Sequence, residues 1–220
     1  MNTLTFVCLA VVCGSLGIIN TLFNKLVGWK GIAVRGLFVF SLITFALITS
    51  NLTAINNALS LFISLALALM LLAEATCVAM GEEEKAKPVV NGVFFSVSCV
   101  LFALSAVSLA EFALLPFLGG LFAGVGVGLI ICAIKKQKGL NQILMNILTF
   151  ACIGLFIGLS VNSVLTSKHM ISAICMLGGS VLLLIQRALV SCGKGKIVNS
   201  LASALYSIGL IALTLSIYFY

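Results

Sequence analysis

Apolar stretches follow one another almost end to end along the 220-residue chain, separated by short polar gaps. A helix needs about 20 apolar residues to cross the hydrocarbon core of a bilayer. The pattern predicts eight such spans: Leu4 to Phe23, Ile32 to Thr49, Ala58 to Met80, Val89 to Leu109, Ala113 to Ile134, Leu140 to Leu165, Met170 to Val190 and Ile197 to Tyr218. The gaps are too short to hold a soluble domain. The expected architecture is an all-α bundle of eight transmembrane helices forming one domain, residues 1–220, in the cell membrane.

The basic residues give this bundle a direction. Gaps one, three, five and seven, with the span ends beside them, carry Lys25, Lys30 and Arg35; Lys85 and Lys87; Lys135, Lys136 and Lys138; and Arg187, Lys194 and Lys196. The even gaps hold only Lys168. Lys and Arg are retained on the cytoplasmic side, so the odd gaps are expected to be cytoplasmic and both termini outside. The first span has no positively charged n-region before it, which a cleaved signal peptide requires, and it is expected to be retained.

Composition removes other classes. Charged residues make up 8% of the chain, against about a quarter in a soluble globular domain. The net charge of +7 sits in twos and threes beside helix ends, where it meets anionic headgroups. Membrane lipids are therefore the expected partners and nucleic acid is not. Eight cysteines are scattered without a Cys-x-x-Cys and with a single histidine, His169. Metal-ligand spacing is absent, and no metal or cofactor is expected. Most of the cysteines fall in spans, as small apolar residues.

Glycines predict where helices approach closely. Gly120, Gly124 and Gly128 give Gly-x-x-x-Gly twice in span five, which also carries Gly119 and Gly126, and span six adds Gly154 and Gly158. Small residues let helix backbones meet in lipid, so these favour packing within the bundle over a dimer interface. The oligomeric state stays open. Pro116 falls in the first turn of span five, where its missing N–H costs little.

Candidate chemistry lies where polarity is expensive, because an ionisable group inside a bilayer needs a partner or water. Glu74 in span three and Arg187 in span seven stand about equally far from the cytoplasmic loop glycines Gly81 and Gly193. At 1.5 Å per residue they share nearly one depth, and they could meet, either as a fixed ion pair or as part of a site. Arg187 could instead snorkel to the headgroups. The cluster Glu82, Glu83, Glu84, Lys85 and Lys87, closed by Pro88, reads as a solvated connector, and Glu111 as an outer turn. Asn91, Ser96, Ser98, Ser105, Asn146, Ser160, Ser203, Tyr206 and Ser207 scatter polarity that helices satisfy among themselves. The chain has no Asp, so no Ser-His-Asp set is available, and nucleotide-loop and zincin signatures are missing.

In order and spacing these features resemble the bacterial YhhN-like membrane proteins related to lysoplasmalogenase. The stretches that carry the resemblance are Arg35-Gly36-Leu37, Ala73-Glu74, Gly92-Val93-Phe94-Phe95-Ser96-Val97-Ser98, Gly179 to Arg187, and Tyr206-Ser207-Ile208-Gly209. Arg35 and Glu74 keep the charges of the family's Lys and first Asp. Ser98 stands at the family's His, and Arg187 at its second Asp. The resemblance implies a lysophospholipid-type ligand of the vinyl-ether lysoplasmalogen class, with Glu74 as the surviving catalytic acid and Arg35, Ser98, Arg187 and Tyr206 around the substrate. Vinyl-ether hydrolysis needs an acid to protonate the enol-ether carbon and a base to help water attack the resulting cation. One carboxylate beside an arginine suits an ion pair better than that task. Three expectations therefore stand side by side: a lysophospholipid-binding protein with residual or altered hydrolysis, a structural or partner-binding descendant, and a small-solute transporter. The last predicts inverted repeats and interrupted helices.

Overall fold

The computed structural model describes residues 3–23, 28–53, 57–80, 86–137, 139–193 and 195–220, with the side chains of residues 3–5, 51–53 and 57 left aside. Lys25, Gly81, Glu82, Glu83, Glu84, Lys85, Lys138 and Lys194 lie outside the described residues. Eight helices follow in order: α1 (Thr3–Leu22), α2 (Trp29–Thr53), α3 (Asn57–Ala79), α4 (Lys87–Val107), α5 (Leu114–Lys135), α6 (Leu140–Thr166), α7 (Met170–Cys192) and α8 (Lys196–Tyr218). There is no strand among the described residues. Helices α2 to α8, seven in all, are long and apolar enough to cross a membrane, and α1 is a shorter apolar helix over Phe6–Leu22. This is the architecture of a polytopic membrane protein. Each helix runs unbroken, so the interrupted helices expected of a transporter have no counterpart among the described residues.

Helices α1, α2, α3, α4, α6, α7 and α8 pack in that cyclic order, α8 closing on α1 and reaching across to α2 and α3. Helix α5 lies outside this ring, against α6 and lightly against α7. Cross-helix pairs fix the directions. Gly36 faces Leu71 across α2 and α3, and Ser172 Oγ donates to the Ser216 carbonyl across α7 and α8 at 2.7 Å. Both pairs join the start of one helix to the end of the other, so these neighbours are antiparallel. Ser96 meets Thr149 at 3.4 Å and Ser163 Oγ donates to the Ala106 carbonyl at 2.8 Å, so α4 and α6 run parallel. The starts of the even helices and the ends of α3, α5 and α7 therefore share one end of the bundle, where Lys30, Arg35, Lys87, Lys135, Lys136, Arg187 and Lys196 lie.

The interior mixes large apolar side chains with small hydroxyls. Phe38, Phe45, Phe102, Phe150 and Phe156 are fully buried, together with Ser98, Ser105, Ser160, Ser172 and Ser180. Most of the hydroxyls bond a carbonyl one turn back in their own helix, as Ser160 does to Phe156 at 2.8 Å. Such bonds let a polar atom sit in an interior without water. Other polar groups join helices: Asn20 Nδ2 donates to Ser207 Oγ at 3.0 Å, and Asn162 Nδ2 to the Glu111 carbonyl at 2.7 Å.

The glycine pattern acts within the chain, as expected. A Cβ on Gly120 would collide with the Gly154 carbonyl and stand 2.9 Å from Gly158 Cα, and one on Gly124 would stand 2.9 Å from Ala151 Cα. Gly128 lies against Ile147. Helix α5 thus docks on α6 backbone to backbone. Gly119 and Gly126 point elsewhere, with nothing within 4 Å of a Cβ. Pro116 occupies the first turn of α5.

Candidate functional site

The expected meeting of Glu74 with Arg187 does not occur. Glu74 pairs instead with Arg35, Oε2 to Nη1 at 3.0 Å. Equal distance from the loops does not make the two residues neighbours. Helix α3 packs on α2 and α4, whereas α7 packs on α6 and α8, so the two residues stand on helices that are not neighbours. Arg35 rises from the first turns of α2 and Glu74 from the last turns of α3, and antiparallel packing brings them level. The pair is about a third exposed on Arg35 and a quarter on Glu74.

Tyr206 of α8 lies close to this pair. Its hydroxyl donates to Met70 Sδ at 3.6 Å, and Met70 is one helical turn before Glu74 on α3. Ser98, at the family's His position, is fully buried and turns its hydroxyl to the Phe94 carbonyl of its own helix at 2.9 Å. It does not line the cavity described next.

Arg187 occupies a different place. Its guanidinium lies over the Phe95 ring, 4.9 Å from the centroid, bridging α7 to α4. Nε is buried and without a hydrogen-bond partner among the described residues. Arg187 lines a cavity of about 300 Å³ at the basic end of the bundle. Helix α4 contributes Pro88, Val89, Asn91 and Gly92; α6 contributes Gln142, Met145, Asn146 and Thr149; α7 adds Val190 and Ser191; and the end of α5 and its following turn add Lys135 and Gln137. Among the described residues the lining contains two cations and no carboxylate.

Local chemistry shapes this cavity. Gly92 lets α4 approach Met145, whose Cε would lie 3.0 Å from a Cβ. The last turn of α5 ends on Lys136, a non-glycine residue at φ 47°, and Gln137 N–H then bonds back to the Cys132 carbonyl at 3.3 Å. This left-handed cap turns the chain so that Gln137 Oε1 accepts from Asn146 Nδ2 at 2.8 Å. The cation–π contact with Phe95 fixes the Arg187 head. Arg187 thus brings a guanidinium to the lining of a polar hollow, an arrangement suited to an oxyanion.

The structure therefore divides the five residues singled out by sequence: Arg187 is in the cavity, Arg35 and Glu74 form a pair with Tyr206 nearby, and Ser98 belongs to its own helix. Sequence reading passed over Gln142 and Thr149 and treated Lys135 as topology and Asn91 and Asn146 as scattered polarity. A signal was present: Gln142, Asn146 and Thr149 recur at helical spacing on one stripe of α6. Among the described residues no group of His, Cys, Asp and Glu could hold a metal ion. Neither a family model, nor a curated protein, nor a solved structure matches the chain.

Proposed function

We propose that this protein binds a phosphate-bearing amphiphile of the lysophospholipid class, with the headgroup in the Arg187 cavity, and that it is a YhhN-like membrane protein by its pattern of motifs. The odd gaps face the cytoplasm in this reading, both termini lie outside, and the ligand enters from the cytoplasmic leaflet. One observation carries the headgroup assignment: Arg187, whose Nε is buried without a hydrogen-bond partner among the described residues, lines a cavity in which the described residues place no carboxylate. A charge near membrane depth is retained when it has a task. The planar guanidinium matches phosphate oxygens in a bidentate fork, and Lys135 adds a second positive charge. Asn91 and Gln142 supply amides for the glycerol hydroxyls.

The hydrolytic role fits less well with this geometry. The acid that the resemblance assigns, Glu74, is committed to Arg35 and does not line the cavity that holds Arg187. Acid and base must both reach the scissile enol ether. Binding is the reading we adopt, and Arg35–Glu74 serves as a lock between α2 and α3.

The test is retention of ligands by the protein in lipid nanodiscs. A lysophospholipid should be held about 10- to 100-fold more tightly than a monoacylglycerol with the same chain, the range expected for charge-assisted hydrogen bonds of about 1.5–3 kcal/mol. Arg187→Gln should remove the difference. Equal retention of both lipids by the unaltered protein would overturn the assignment. Free aldehyde released from a vinyl-ether lysophospholipid, and lost in Glu74→Gln, would restore catalysis to Glu74.

A further inference from the structure

The Arg187 cavity presents two cations, carried by different helices. Arg187 comes from α7, and Lys135 from the last turn of α5, the helix that packs outside the ring. The walls contributed by α4 and α6 are uncharged, so these two are the charged groups of the lining among the described residues. They differ in setting. The Arg187 guanidinium is stacked on Phe95 with Nε buried, whereas Lys135 is exposed.

The backbone of Lys135 is nevertheless held beside the cavity, because the turn that follows it is tied to the wall formed by α6. Gln137 Oε1 accepts from Asn146 Nδ2 at 2.8 Å and from Cys132 Sγ at 3.4 Å, and Cys132 Sγ also lies 3.9 Å from the Ile143 carbonyl. A thiol donates, and an amide nitrogen does not accept, so the Cys132 contact decides which end of the Gln137 amide faces it. The N–H groups of Gln137 are then the end not taken by these bonds. One lining therefore joins a guanidinium, an ammonium and an amide donor, tied together across α5 and α6.

A phosphate with one ester bond carries about −1.5 to −2 charge near pH 7. Such a dianion matches both cations. A phosphodiester carries a single charge and leaves one cation unmatched, and a choline or ethanolamine diester brings a further cation against two of the same sign, which is a repulsive contribution to specificity.

We propose that the cavity selects a phosphomonoester headgroup over a phosphodiester, with Arg187 binding the phosphate of either and Lys135 as the specificity-determining residue. This rests on the headgroup reading given above and narrows it. A lipid and a water-soluble phosphomonoester offer the same group, and the experiment separates them. The second proton of a phosphomonoester leaves with a pKa of about 6. The preference should therefore be present above that pH and fade below it, where the monoester's charge falls to that of a diester.

The experiment measures retention of lysophosphatidic acid and of lysophosphatidylcholine with the same chain by the full chain in phosphatidylcholine nanodiscs, relative to nanodiscs without protein. At about pH 7.5 the monoester should be held about tenfold more tightly, the worth of one charge-assisted hydrogen bond, and the difference should close at about pH 5. Lys135→Gln should abolish the preference by weakening the monoester alone, Lys135→Arg should keep it, and Arg187→Gln should abolish retention of both lipids. Equal retention of the two lipids, lost for both in Arg187→Gln, would overturn the selection and leave the headgroup reading intact. A preference that survives Lys135→Gln, or that does not change with pH, would overturn the assignment to Lys135 and to the second charge. Retention of both lipids unmoved by Arg187→Gln would overturn the headgroup reading and this proposal with it. Displacement of lysophosphatidic acid by glycerol 3-phosphate would support the monoester site and make a soluble compound its ligand; retention undisturbed by it, with the preference intact, would support a lipid headgroup.

Discussion

Replacing Arg187 by methionine removes a charge that has no ion pair among the described residues, and the consequence for the empty protein is the reverse of the usual loss. A buried donor without a partner costs about 1–3 kcal/mol, and Nε of Arg187 is such a donor. The residue lies five positions before the end of α7, about 7.5 Å inside it, so only part of the roughly 2.5–3.5 kcal/mol insertion cost of a central arginine applies. Against this, the stack on Phe95 contributes about 0.5–2 kcal/mol. A methionine sulfur on the same ring returns about 0.3–1.5 kcal/mol. The balance favours Arg187→Met by about 1–2 kcal/mol. Reversible unfolding in mixed micelles reads this directly, beside Arg35→Met, which leaves the Glu74 carboxylate without its partner. Because that pair is part-exposed, its loss is set at about 1 kcal/mol of destabilisation. The two substitutions are chemically identical and should move stability in opposite directions. Destabilisation of 1 kcal/mol or more by Arg187→Met would refute the reasoning, for it would mean that the arginine is satisfied in the empty protein and holds α7 to α4.

The glycine contact gives a second contrast. Gly154→Ala places a Cβ 2.7 Å from Gly124 Cα and should destabilise by about 1–3 kcal/mol, while Gly126→Ala, with open space around it, should be neutral or stabilising by up to about 1 kcal/mol; unfolding of both variants in the same micelles checks this. Lys136→Gly should relieve the positive φ at the end of α5 and raise stability by about 0.5–1 kcal/mol, and an unchanged or lowered midpoint would show that the backbone carries no strain there. Orientation is checked by cysteine labelling from the two sides of sealed vesicles in a background without native cysteines. Ser167→Cys, beside Lys168, is expected to react from outside, and Gln137→Cys, beside Lys136, from the cytoplasmic side; the opposite pattern would invert the bundle.

Number, length and approximate ends of the helices were legible in the sequence because they depend on a one-dimensional quantity. A stretch of about 20 apolar residues lies in hydrocarbon wherever its neighbours are, and Lys and Arg mark the gaps without reference to packing. The close approach of α5 to α6 was legible too, since only glycine permits it and both helices carry the spacing. The sharing of one end by Arg35, Glu74 and Arg187 follows from counting residues to the loops.

Lateral arrangement was decided by the tertiary structure. In a soluble bundle the apolar stripe names the buried face, but lipid is as apolar as leucine and that signal vanishes. Leu42, Leu67 and Leu183 are buried, while Leu115 and Leu165 are at least three-quarters exposed, and residue type does not separate them. Depth could therefore be read for Glu74 and Arg187, but azimuth could not. Only the cyclic order of the helices sets Arg35 beside Glu74 and leaves Arg187 over Phe95, facing a hollow built from four separate helices. How far along its helix each charge lies follows from the sequence, because rise per residue is constant; which charges meet depends on which helices are neighbours, and only packing sets that.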